Sequence, residues 1–371
     1  MLGSGQLGRM FALAARRMGY RIHVYSPEAH SPAAQVADGA VVAPYDDHAA
    51  LGAFAEGVAA VTVEFENIPA AALQLVAERR PMRPGPLALH TAQHRLREKD
   101  FLVGAGFPVA PYRRVSVPAD LPAALAAVPL PALLKSAAFG YDGKGQYPVT
   151  NDQEATAALT AIGGEAILET RVDLACEFSV IGARGSDGAQ ALYAPIRNTH
   201  QAGILDLSLA PSGLEPTVDR QARQITGAAL EALEVVGVLC VEFFLTTDGR
   251  LIVNEVAPRP HNSGHLTIEA GATSQFEQQV RALCGLPLGA TDLLCPAAMV
   301  NLLGDLWRWG EPRWPAALAV PSVNLHLYGK TQPRPGRKMG HLTALAANPT
   351  EAEQRVVSAR SATRVRGDPE L

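Results

Sequence analysis

The stretch Gly140-Tyr141-Asp142-Gly143-Lys144-Gly145-Gln146 constrains this chain more than any other. An apolar run from Pro131 to Lys135 precedes it and reads as a strand, and Tyr147-Pro148-Val149 reads as the next. Glycines at 140, 143 and 145 let backbone N–H groups wrap a polyphosphate, because no Cβ blocks close approach. Lys135 and Lys144 add positive charge where phosphate oxygens would lie. The order strand, glycine loop, strand excludes a Walker loop, which opens a helix. A plain hairpin with a pliant tip explains the glycines alone. The two lysines, and a second phosphate-type turn near the N-terminus, favour a nucleotide.

That second turn is Gly3-Ser4-Gly5-Gln6-Leu7-Gly8, the Gly-x-Gly-x-x-Gly pattern of a strand-to-helix junction. Only Met1-Leu2 precedes it, so the first strand is a stub or the start lies upstream. A helix is expected from Arg9 to Met18 and a second strand from Arg21 to Tyr25. An NAD site needs an acid ending that strand; here Tyr25-Ser26-Pro27 ends it and Glu28 is displaced. This argues against a nicotinamide-dependent oxidoreductase, and a nicotinamide fluorescence titration separates the two readings. Ala60–Val63 reads as a strand leading into Glu64-Phe65-Glu66-Asn67, which faces a ligand crevice or is an ordinary solvated exit.

With 371 residues, two to three domains are expected at about 150 residues each. A net charge of −4 gives no electrostatic reason for a nucleic-acid or membrane partner. No apolar run reaches the roughly 18 residues of a membrane span. The four cysteines lack metal-type spacing and suit a reduced, cytoplasmic compartment as core fillers. Residues 81–90, with Pro81, Pro84, Gly85 and Pro86, mark a first boundary, and Arg95–Gly104 reads as a helix with a normal stop.

Val238–Leu245 and Arg250–Val256 read as a hairpin. A two-residue Asp248-Gly249 turn sets Glu242 opposite Glu255, with Cβ atoms about 5 Å apart. Apolar neighbours Val241, Phe243 and Val253 are expected to dry that face. Two facing carboxylates repel, and a hard divalent cation, Mg²⁺, relieves them while sharing substrate phosphates. A surface pair moderated by a nearby Lys or Arg is the plainer explanation. Just beyond, Ala257 to His265 is rich in donors, with Arg259 placed to meet a transferring phosphoryl group and Asn262 or Ser263 a second ligand.

Taken together, Gly5–Met10, Glu64–Asn67, Gly140–Gln146, Asn254–Arg259, His261–His265 and Arg334–His341 resemble the ATP-grasp superfamily. Within it, they are most similar to the 5-(carboxyamino)imidazole ribonucleotide synthase family, from residue 3 to about 343. The resemblance implies an α/β fold, α+β in part: a Rossmann-like N-terminal domain (1–90) and an ATP-grasp region (91–300). That region divides into a lid (about 112–170) and a metal-binding part (about 171–300), followed by a short β-rich C-terminal segment (301–371). It implies ATP as cofactor with Mg²⁺, Mn²⁺ being an acceptable substitute, and a homodimer. ATP would phosphorylate bicarbonate to carboxyphosphate, and the amine of aminoimidazole ribonucleotide would capture the carboxyl group.

Residue by residue, the resemblance implies phosphate contacts from Arg95, Lys135 and Gly140, Tyr141, Asp142, Gly143, Lys144, Gly145 and Gln146. Glu169, Thr170, Arg171 and Val172 match the adenine segment, Glu177 the ribose acid, and His200 a further nucleotide contact. Glu242 and Glu255 match the metal ligands, with Asn254 beside them. Gln6, Glu64, Tyr141, Asp142, Lys144, Asn262, Ser263, Lys330 and Arg337 fall where ribonucleotide or bicarbonate is contacted. Tyr141, Asp142, Lys144, Arg259 and Lys330 would serve the chemistry. The pattern departs at Phe139, usually glycine, and at Lys144, where some relatives carry Arg. A sibling ATP-grasp ligase, such as formate-dependent glycinamide ribonucleotide transformylase, shares the nucleotide site. Tyr141-Asp142 and the 336–341 run favour the carboxylating enzyme. Arg-rich 355–366 reads as a solvated helix.

Overall fold

A computed structural model describes residues 1–138 and 145–365. Gly140, Tyr141, Asp142, Gly143 and Lys144 lie outside the described residues.

The N-terminal domain is built on parallel pairing. Strands β1 (His23–Ser26) and β2 (Gly39–Val42) run parallel. Leu2 bridges Tyr25 on one side and Val63 on the other, and Val61 bridges Met82. Leu2 and Gly3 are held between these strands by Leu2 N–H to the Thr62 carbonyl (2.8 Å) and Gly3 N–H to the Tyr25 carbonyl (2.9 Å). Leu2, Tyr25, Phe54, Val63, Leu73 and Val76 fill one side. On the other, Met10, Phe11 and Ala15 of the helix Gln6–Arg17 pack on Phe276 and Val280, fastening this domain to the rest. Cys240 is buried, but Cys284 is exposed, so the cysteines are not all core fillers.

The lid sheet comprises β3 (Tyr112–Val115), β4 (Ala132–Ser136), β5 (Gln146–Val149) and β6 (Ala166–Thr170), in the order β3-β6-β4-β5. Every pairing in it is antiparallel, and β4 and β5 flank the glycine loop. Leu121 and Ala124 of one helix and Ala155 and Leu159 of another cover Leu134, Val149 and Leu168. The second of these helices starts where the sequence supplies a cap: Asn151 accepts the Glu154 N–H at 2.9 Å.

A nine-stranded antiparallel sheet carries the remainder. Its strands are β7 (Leu174–Arg184), β8 (Gln190–Leu192), β9 (Ile196–Gln201), β10 (Ile204–Ala210) and β11 (Gly237–Thr246). They continue with β12 (Leu251–Ala257), β13 (Ala297–Leu303), β14 (Val323–Leu327) and β15 (Lys338–Leu345). The order is β12-β11-β7-β9-β10-β13-β15-β14, with β8 beside β7 and β12 at one edge. One face packs Phe178, Val180, Val241, Phe243 and Val253 on Ala229 and Leu230 of the helix Pro216–Ala232. Strand alternation sends those apolar side chains away from Glu242, so they do not dry its surroundings as expected.

Two further expectations change. Strand β13 straddles residue 300, so the sheet runs unbroken through the expected boundary. The helix Pro349–Ala362 is not simply solvated: Ala352, Val356 and Ala359 are buried against the sheet, and Arg360 pairs with Asp206. Among the described residues, no helix is long and apolar enough to cross a membrane.

Candidate active site

A cavity of about 920 Å³ opens where the lid sheet, the large sheet and the N-terminal turn converge. Glu242 of β11 and Asn254 and Glu255 of β12 line it. Glu242 does face Glu255, but by a different route from the one the turn chemistry suggested. Leu245 pairs with Leu251, and the Thr246 N–H reaches the Arg250 carbonyl at 2.9 Å, which closes a loop of residues 247–249. Gly249 takes φ 84° at its end, the left-handed position such a loop requires. This longer loop shifts the register by one residue. A β-bulge at Asn254 shifts it back, because Phe243 pairs with Val253 while Glu242 pairs with Glu255. The bulge turns two successive polar side chains, Asn254 and Glu255, toward the cavity.

Burial, then the facing Glu255, push the Glu242 carboxyl up to about 7. His261 Nε2 lies 3.2 Å from Glu242, and Asn254 Nδ2 lies 3.5 Å away. Arg95 Nη1 reaches Glu255 at 3.5 Å. Two facing carboxylates, which these long contacts relieve only in part, offer hard oxygen donors that fit a divalent cation able to bind phosphates as well. A carboxyl held above its usual value binds its proton more tightly in the folded chain. Its stabilising protonation is complete at low pH and is lost as pH rises through about 7. Without nucleotide or divalent ion, Glu242→Gln should therefore gain stability over the parent between about pH 5 and pH 8, on the order of 2 kcal/mol. Urea unfolding across that range checks this; a difference that does not vary with pH contradicts it.

On the nucleotide side, Arg95, Lys135, Gln146 and the segment Glu169–Val172 all line the cavity. Glu169 is buried between Lys135 (3.1 Å) and Lys99 (3.4 Å), so its carboxylate already serves two ammonium groups. Residues 171–173 link β6 to β7, and Arg171 N–H binds the Pro131 carbonyl at 3.0 Å. Glu177 lies 2.6 Å from His200 Nδ1. Burial pulls the His200 imidazole down, but the Glu177 bond and the field of Glu242 outweigh it and raise its pKa.

The glycine turn at the N-terminus holds a carboxylate rather than a phosphate. Glu64 accepts the Gly8 N–H at 2.8 Å and also the Gly5 N–H. A Cβ on Gly5 would stand 2.9 Å from its Oε1, and one on Gly8 3.1 Å from its Oε2. These glycines make room for Glu64, and a dinucleotide pyrophosphate would meet its charge. Gln6 and Asn262 line the cavity, with Asn262 paired to Asn301 at 3.1 Å. Arg259 forms an ion pair with Glu66 at 2.7 Å, joining the N-terminal domain to the large sheet. Ser263 does not reach the cavity. It is fully buried, its hydroxyl held by Ser179 (2.7 Å) and His261 Nδ1 (2.9 Å), so it orients His261 rather than touching a ligand. Lys330 Nζ binds the Lys338 carbonyl at 2.7 Å, and Arg337 Nη1 the Gln332 carbonyl at 2.9 Å. Lys338, not these two, lines the cavity wall. Sequence reasoning missed Lys338, Glu66, His261 and His265 as lining groups, although each stands inside a run it singled out.

Comparison with known proteins assigns the three parts separately. Residues 1–93 match the ribonucleotide synthetase preATP-grasp domain, 100–276 the ATP-grasp domain, and 297–355 the phosphoribosylaminoimidazole carboxylase C-terminal domain. N5-carboxyaminoimidazole ribonucleotide synthase of Brucella melitensis is 44% identical over 348 residues, covering 93% of this chain and 95% of that one. The chain belongs to the N5-carboxyaminoimidazole ribonucleotide synthase family. It is an ATP-dependent ligase of purine biosynthesis. The solved synthetase of Thermus thermophilus superposes with a TM-score of 0.90 at 44% identity, over 99% of this chain and 98% of that one. A synthase of Aspergillus clavatus, solved with ADP and 5-aminoimidazole ribonucleotide, gives a TM-score of 0.88 at 30% identity, over 98% and 97%.

Proposed function

We propose that this synthase carboxylates 5-aminoimidazole ribonucleotide with bicarbonate, through carboxyphosphate. The observation that carries the site assignment is the facing of Glu242 and Glu255 across the Asn254 bulge, inside a cavity also lined by Arg95 and Lys135. ATP would lie with its base against Arg171 and Val172, its ribose toward Glu177, and its phosphates between Arg95 and Lys135. Glu242 and Glu255 would hold Mg²⁺, which neutralises phosphate charge when bound. A bicarbonate oxygen attacks the γ-phosphorus, the bond to ADP breaks, and carboxyphosphate results. The ribonucleotide amine then attacks its carbonyl carbon, phosphate leaves, the amine proton is released, and a carbamate remains. Arg259, held by Glu66, would steady the transferring group, since positioning and charge dominate phosphoryl transfer.

The ribonucleotide is proposed to enter between Gln6, Glu64 and Asn262, with Lys330, Arg337 and the wall residue Lys338 meeting its phosphate. Arg337 offers a rigid fork for phosphate oxygens. Arg337→Ala should raise the ribonucleotide KM, or lower kcat/KM, by more than about tenfold, roughly 1.4 kcal/mol. ADP affinity should stay unchanged, because the nucleotide contacts lie elsewhere. Weakened ADP binding with intact ribonucleotide kinetics would remove Arg337 from the substrate site. The family resemblance also carries the expectation of a homodimer, to be read from the mass by light scattering.

A further inference from the structure

Among the described residues strand β12 ends the large sheet, and its outer row of backbone groups meets no further strand beyond a single parallel bridge between Val109 and Val253. The bulge that brings Asn254 and Glu255 to the cavity lies on this edge, where a strand is least constrained. Three groups from the preceding chain occupy that row. Pro108 accepts the Val253 N–H at 2.7 Å. Lys99 Nζ donates to the Asn254 carbonyl at 2.9 Å. Glu98 Oε1 accepts the Val256 N–H at 2.6 Å. Glu98 and Lys99 are adjacent on the helix Arg95–Gly104, both are buried, and between them they bracket Glu255 on its two sides.

We infer that Glu98 and Lys99 are positioning residues that hold the Asn254–Val256 bulge in the one backbone shape that presents both polar side chains to a divalent cation. Without these two bonds, the edge can relax into the regular register set by Leu245 and Leu251. A slip of one residue turns alternate side chains to the opposite face, and Glu255 would no longer oppose Glu242. Lys99 also binds Glu169, which binds Lys135, so one ammonium joins the bulge to the lid strand at the phosphate end of the cavity. The two residues touch no reacting atom; they act through the backbone of Glu255 and its neighbours.

This inference rests on the reading of Glu242 and Glu255 as metal ligands, and the test separates the two. Mn²⁺ titrations of the full chain with saturating ADP, followed by electron paramagnetic resonance, report affinity and ligand symmetry directly. Glu255→Gln tests the metal reading: it should weaken Mn²⁺ binding, and unchanged affinity there overturns that reading and this inference with it. Glu98→Leu and Glu98→Gln test the positioning role. Both remove a carboxylate beside Glu255, but only Gln keeps an acceptor for the Val256 N–H. Leu should weaken Mn²⁺ by about tenfold or more and broaden the bound spectrum, as loss of outer ligand support does, whereas Gln should stay within about twofold of the parent. Should Glu98→Leu fail to fold, Lys99→Met against Lys99→Arg is read in the same way, Arg retaining the donor. If Glu255→Gln loses the ion while the apolar and conservative variants bind it equally, the bulge does not depend on these bonds and the inference is wrong.

Discussion

Glu255→Gln should lower kcat/KM for ADP formation by at least about a hundredfold, roughly 2.7 kcal/mol of barrier. Glu255 opposes Glu242 in a half-buried site, and a cation there contributes charge neutralisation that a neutral amide cannot anchor. The fold should survive, because the substitution removes a repulsion and leaves the Glu98 bond to Val256 in place. Melting without nucleotide or metal should be unchanged or higher, while the stabilisation that Mg²⁺–ADP gives the parent should shrink. Steady-state kinetics with paired thermal melts read both. A variant that unfolds, combined with a parent that Mg²⁺–ADP does not stabilise, would contradict the metal assignment.

Glu64→Ala should cost about 2–4 kcal/mol of folding stability, the largest stability effect expected of a single change at this site. Its buried carboxylate accepts backbone N–H groups of Gly5 and Gly8, which open the helix Gln6–Arg17 and have no side-chain cap of their own. Removing the acceptor orphans these donors at the seam between two core clusters. Burial, outweighing these bonds, holds the Glu64 carboxyl above its usual value. Glu64→Gln, which sheds the buried charge but keeps one acceptor oxygen, should therefore lose much less. Urea unfolding of both variants near neutral pH checks this. A loss below about 0.5 kcal/mol for alanine would mean that water satisfies those donors and that Glu64 is not a cap.

Much of the architecture was legible because it rests on local signals. The helix Arg95–Gly104 has its stop at Gly104 and Gly106, and the strands around the glycine loop are apolar runs bounded by Pro and Gly. The facing of Glu242 and Glu255 was reached through a turn one residue too short and a strand without its bulge, two offsets that cancel. A bulge is set by what the edge strand meets, here Glu98 and Lys99, and nothing in the sequence of β12 announces it. Long-range polar partners were equally silent. Glu64 filling the glycine turn lies 56 residues from Gly8, and Glu169 between Lys99 and Lys135 joins segments 70 and 34 residues apart. Side-chain pairing at such separations follows from tertiary packing, not from pattern. Ser263 shows the reverse error: a donor-rich run suggested ligand contact, yet packing buries its hydroxyl beneath His261.

The central claim is that this cavity couples ATP cleavage to carboxylation of the ribonucleotide amine. ADP release, measured with bicarbonate in the presence and absence of 5-aminoimidazole ribonucleotide, tests it most directly, with ¹³C-labelled bicarbonate followed in parallel by NMR. The predicted result is ADP release stimulated by the ribonucleotide and one labelled carbamate formed per ADP. ADP release indifferent to the ribonucleotide, or label that never reaches its nitrogen, would contradict the assignment.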